Sequence, residues 1–274
     1  MDSWSERDRR SRSVTGFRRR DITNKQRVHA ALEGRSVDRY PVTSIYNQLY
    51  HLDHFEELSG LPAWRRHAWG ALPPERHLAW FRKIHDSAPF ELLQPQRAPA
   101  RDWRDRQKFI EKDGHPWRYD RETGQGRRLD EPTVSGHATD YHANETRLVF
   151  TPDDIERHLP LNDERHTPDG GGNDYAKAVI EAFGRDEFIL TGGVIGTLYS
   201  CGSYVGLTNL FAMLLEEPDL IDRLCERILE LNLVEIRYLA AAGGDAIYID
   251  DAIATSDMIS VASYERFSLP FLQR

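Results

Sequence analysis

The chain has 274 residues, with 36 Lys plus Arg against 44 Asp plus Glu and a formal net charge of -8. That balance excludes general binding to a nucleic-acid backbone, which a basic field would serve. No apolar run reaches the roughly 18 residues of a membrane span, and Cys201 and Cys225, the only cysteines, exclude a disulfide scaffold or a four-cysteine zinc site.

The start, Met1 to Arg20, is charged and Arg-rich without an apolar segment. It is read as a disordered leader over residues 1–22 rather than a secretory signal, and a cytoplasmic protein is expected. Order is expected from Thr23, an N-cap for a helix over Asn24 to Leu32 that Gly34 terminates. Tyr40 to Tyr46 is predicted as a first strand, with Pro41 tolerated near its beginning. Leu49 to Gly60 is predicted helical, and Ala63 to His85 is helical with an interruption at Pro73-Pro74. Phe90 to Leu93 is a short second strand. From about residue 97 to 160, short β-like pieces such as Lys108 to Glu111 and Thr146 to Phe150 alternate with turns, as in a hairpin excursion. Thr151-Pro152-Asp153-Asp154 has the pattern of a helix start.

After Gly170-Gly171-Gly172, Asp174 to Phe183 is predicted as an amphipathic helix ended by Gly184. Phe188 to Thr191 is a buried strand, and Gly192 to Ser203 a glycine-rich loop. Leu207 to Glu216 and Pro218 to about Ala242 are helices, Asp245 to Asp250 a strand, and Ser260 to Arg274 a loop and helix. Short strands alternating with helices mark a parallel α/β fold, expected to be a single incomplete barrel domain over residues 23–274.

In a parallel barrel, chemistry sits at the C-terminal ends of the strands. Four regions meet that condition: Ser44 to Gln48, Gln94 to Arg97, Gly192 to Ser203 and Asp250 to Thr255. Backbone N–H groups of the glycine-rich loop could hold a carboxylate, or the loop could be a plain turn. Asp250 and Asp251 end a strand and must face opposite ways; such a carboxylate could orient a substrate, relay a proton, bind a metal, or cap the next loop. Cys201 could be a ligand or nucleophile or an inert core thiol. The pairs His51 with His54 and His137 with His142 lack a third metal ligand at convincing spacing.

Asn24 to Pro41, reading NKQRVHAALEGRSVDRYP, together with Thr197-Leu198, Glu217-Pro218, Gly244 to Ile247, Asp250-Asp251 and Tyr264 to Pro270, resembles the uroporphyrinogen decarboxylase superfamily. The resemblance implies a (β/α)8 TIM barrel, here truncated after about strand five, and one of two activities. One removes carboxylates from uroporphyrinogen without a cofactor. The other, its cobalamin-dependent methyltransferase branch, moves a methyl group between a corrinoid and an acceptor such as a thiol, usually with zinc. Where true decarboxylases carry arginines after strand one, this chain has Tyr46, Asn47, Gln48 and Tyr50. The region of their catalytic aspartate reads Gln94-Pro95-Gln96, and their active-site tyrosine falls at Cys201. Methyl transfer is therefore the first expectation, a carboxy-lyase the second and a non-catalytic barrel subunit the third. Asp250, Asp251 and Asn47 are the expected catalytic groups, with Tyr46, Gln48, Gln96, Gly193, Thr197, Tyr199 and Cys201 around a small-molecule substrate. No metal site is assigned, because the family's usual zinc ligands would lie beyond Arg274. The corrinoid is expected on a separate protein, and a second copy or another partner should cover the open barrel edge.

Overall fold

The computed structural model describes residues 22–43, 47–87, 89–130, 146–161 and 170–274; the side chains of Asn47 and Gln48 lie outside the described set. The expected leader, Tyr46, and the pair His137 and His142 also fall outside it.

Helix α1 (Asn24–Leu32) begins at a capping box: Thr23 Oγ1 accepts from the Gln26 N–H, and Gln26 Oε1 accepts from the Thr23 N–H. Residues 40–43 of the predicted first strand are not in a sheet, although the Glu91 N–H donates to the Val42 carbonyl at 3.4 Å. The single helix expected over Leu49 to Gly60 is two, α2 (Asn47–Asp53) and α3 (Phe55–Ser59), the second closed by Gly60 at φ 66. A 3₁₀ turn at Ala63–Arg65 leads into α4 (Arg66–Trp69), and Pro74 opens α5 (Pro74–Ser87). Strand β1 is only Leu92–Leu93.

Helix α6 (Arg101–Arg106) was not expected. It feeds an antiparallel sheet of β2 (Gln107–Lys112), β3 (His115–Asp120) and β4 (Gly126–Arg128). Asp113 and Gly114 make its first turn with positive φ at both residues, the backbone that an Asp-Gly hairpin favours. Residues 146–150 form no strand. Helix α7 (Pro152–His158) and α8 (Asp174–Phe183) follow.

The parallel sheet has the order β1, β5 (Phe188–Ile195), β6 (Ala246–Asp250). Among the described residues it does not close into a barrel, and they supply three parallel strands where about five were expected. Three helices separate the last two strands, α9 (Thr197–Val205), α10 (Leu207–Glu216) and α11 (Pro218–Ala240), and α12 (Val261–Phe267) lies beyond. A short α13 (Leu269–Leu272) ends the chain.

Two cores hold this arrangement. One packs α9, α10, α11 and α12 through Leu198, Cys201, Leu210, Ile221, Leu224 and Phe267. The other packs α3, α5, α8 and the sheet through Phe55, Phe81, Ile84, Val179 and Ile189. At the N-terminal end of the sheet, Asp245 accepts from the Ile189 N–H at 2.8 Å and pairs with Lys25 of α1 at 2.7 Å. Beside it, Arg27 pairs with Asp38 at 2.8 Å, and that hydrogen bond holds the Asp38 carboxyl down at about 2. This end is held by ion pairs. Among the described residues no single helix is long and apolar enough to cross a membrane.

Candidate active site at the strand ends

Strand β5 runs through Gly192 and Gly193 to Ile195, four residues further than its apolar stretch suggested. Leu190 pairs with Ala246 but Gly193 with Tyr248, so β5 carries one extra residue and bulges there. The two glycines thus belong to the strand rather than to a loop. Gly193 is required by crowding: a Cβ on it would come within 2.2 Å of the Tyr248 ring.

The remainder of the expected loop is helix α9, whose first residue is Thr197. Its N-cap, Gly196, has no side chain to accept from the first turn. Asp251 supplies that acceptor from the end of β6. One carboxylate oxygen accepts from the Tyr199 N–H at 3.2 Å, and the other accepts from the Ser268 hydroxyl at 2.5 Å. Gly196 must lack a Cβ, since one would lie 2.5 Å from Asp251 Cγ. Tyr199 enters the site through its backbone and is half-buried.

Asp250 is different. Its carbonyl accepts from the Gly196 N–H at 2.7 Å, closing β6 onto β5. Being adjacent to Asp251 and two residues from Tyr248, its side chain projects from the Tyr248 face of the sheet, opposite the helices that Asp251 ties. Asn232 of α11 anchors the neighbouring Ile195 carbonyl at 2.8 Å.

Two buried polar atoms at this end have no hydrogen-bond partner: Gln94 Oε1, just past β1, and Thr197 Oγ1. Orphaned acceptors of this kind are rare in a folded protein and mark places where a ligand or water completes the bonding. Gln94 belongs to the expected rim region Gln94 to Arg97, in which Gln96 rather than Gln94 is the expected substrate contact. Gln96 is half-buried, with its Oε1 4.0 Å from where a Gly70 Cβ would stand, so it lies beside α4.

Cys201, expected to line the pocket, has no exposed surface and faces Cys225 at 3.5 Å between sulfurs. Burial, then the neighbouring thiol, pushes its pKa well up. It is a core residue, an outcome that helix α9 dictates: position 201 is one turn beyond Thr197, on the same inward face. His51 is buried in α2, whereas His54, the N-cap of α3, is exposed and pairs with Glu57 at 3.1 Å. Among the described residues no three His, Cys, Asp or Glu side chains could hold a metal ion, and the zinc of the resemblance does not fit the residues present.

The uroporphyrinogen decarboxylase (URO-D) family model matches residues 139–274, which include β5, β6 and both strand-end acids. This part of the chain is similar to the URO-D family. The opening segment Asn24 to Pro41, although similar in pattern, lies outside the matched residues. Among solved structures, a methyltransferase from Methanosarcina mazei is similar with a TM-score of 0.52 and 19% identity. The alignment covers 92% of this chain and 66% of that methyltransferase, so the chain spans about two thirds of its length. That likeness concerns the fold. No curated protein matches the sequence.

Proposed function

We propose that the URO-D-like strand end is the substrate site of a methyl-transferring enzyme whose donor or acceptor is a corrinoid held by a separate protein. The observation that carries this reading is the chemistry of the rim. Gln94 and Gln96 offer amides after the second expected strand, where the resemblance puts a decarboxylase's acid, and Thr197 adds a hydroxyl after β5. The fold shared with a methyltransferase supports it. With a thiol acceptor, the corrinoid held by the separate protein would supply the methyl group that the sulfur takes up. The thiol proton would go to a base at the rim, the role this reading assigns to Asp250.

The family match favours a second reading, a carboxy-lyase acting on a porphyrinogen or a related acid. In either case the outer edge of β6, where Ile249 is 47% exposed, is the surface on which a second copy or the corrinoid protein would complete the site. The test is to mix the full chain with methylcobalamin and a thiol, with and without zinc, and follow the methyl-cobalt absorbance. Loss of that absorbance supports methyl transfer. No change under any metal condition, with release of carbon dioxide from uroporphyrinogen, replaces it by the lyase.

A further inference from the structure

A second cleft lies outside the strand-end site, between the antiparallel sheet and the helices α4, α5, α6 and α8, with a volume of about 760 Å³. None of Gln94, Thr197, Asp250 or Asp251 lines it. Its charge reverses that of the chain: seven cationic side chains and three acidic ones line it, whereas the whole sequence carries -8. A volume of this order holds a small organic ligand.

The floor is built before any ligand arrives. Asp174, at the first position of α8, accepts from Arg101 Nε at 2.9 Å and Nη2 at 2.7 Å, and also from Arg104. These bonds, Arg101's first, hold the Asp174 carboxyl below its ordinary value. Arg101 lies across Gly171, which has φ 83; a Cβ there would meet the Arg101 side chain at 2.5 Å. Arg104 is 6% exposed and its guanidinium sits 5.3 Å over the Tyr175 ring, yet its Nε–H has no acceptor. An unanswered donor on a buried guanidinium is costly unless something else completes it.

Above this floor stand Arg65, Arg76, Lys108, Arg121 and Lys177. None of the five has an ion-pair partner among the described residues. Of the acids lining the cleft, only Asp105 and Glu181 remain after Asp174 is engaged. Holding like charges together costs free energy that a stable fold has no reason to spend, and a multivalent anion relieves it. Arginines clamped in fixed orientation suit the oxygens of phosphoryl or carboxylate groups.

We infer that this cleft binds a small organic molecule bearing a multiply charged oxyanion, independently of the strand-end site. The experiment is calorimetric titration of the full chain at constant, near-physiological ionic strength, with inorganic pyrophosphate and, separately, with citrate. Saturable 1:1 binding of at least one is expected, and the preferred probe assigns phosphate or carboxylate chemistry. The double variant R121Q/K177Q, made at exposed positions, should weaken that binding about tenfold or more. R185Q, which removes one exposed positive charge outside the cleft, should leave it within about twofold. Absence of saturable binding by both probes, or equal affinity in R121Q/K177Q and the parent chain, overturns the inference.

Discussion

Asp250 and Asp251 are neighbours in sequence with different tasks. Asp251 is bound at both oxygens, to the Tyr199 N–H and the Ser268 hydroxyl, and so joins β6, α9 and the start of α13. Asp251→Ala should therefore destabilise the fold by about 2 kcal/mol, since it strands a helix N-terminal donor and a buried hydroxyl. Denaturant unfolding checks this, and an unchanged midpoint would show that the carboxylate is not an anchor. Which acid of the pair is structural could not be read from the sequence: that depends on Gly196 bringing no side chain to cap α9, and on Asp251 meeting it across two strands. Cys201 likewise reads as a rim residue only if Gly192 to Ser203 is a loop, and helix α9 puts it in the core. In the native protein both cysteines should resist a thiol reagent such as Ellman's and react fully only in denaturant. Rapid labelling of the folded chain would place a sulfur at the surface.

Helix α5 packs against α8 through His77, whose ring stacks on Tyr175 at 3.7 Å and 2°. Its Nδ1 lies 3.3 Å from the Trp69 carbonyl, which can only accept, so Nδ1 carries the proton. Nε2 is then a buried lone pair without a partner. Burial lowers His77 and His51 from 6.5 to about 4 each. Below pH 6.5 the unfolded chain takes up protons that the folded chain refuses until about pH 4, so stability falls as pH drops through that window. Each histidine contributes a slope of about 1.4 kcal/mol per pH unit. Unfolding free energy measured between pH 6.5 and 5 should show this loss, and His77→Phe should make the slope shallower by one histidine's share. An unaltered slope in that variant would mean that His77 is not buried in its neutral form. At this scale the sequence was legible where local rules decide. The capping signals at Thr23 and Thr151, the Asp-Gly turn and the apolar stripes of α8, α10 and α11 all appear where their residues indicate. It failed where a partner from elsewhere decides. Gly192-Gly193 resembles a turn, but the Tyr248 ring and the extra residue in β5 make it strand. The helix α6 depends on Asp174, about seventy residues away, holding Arg101 and Arg104.

Over the whole molecule, the alternation of strand and helix foretold a parallel α/β sheet. The number of strands and the closure of the sheet were not legible, because a barrel is counted from strand pairing rather than from pattern. The acidic average hid the basic cleft as well: its cations come from five separate stretches that only folding gathers. The rim reading rests most heavily on Asp250, the one strand-end acid that faces away from the anchoring helices. Its test is the rate of methyl loss from methylcobalamin to a thiol by the parent chain and by D250N, with circular dichroism confirming that both are folded. The account predicts turnover by the parent and a fall of about 100-fold or more in the variant. Equal rates, or no turnover by the parent chain, would contradict it.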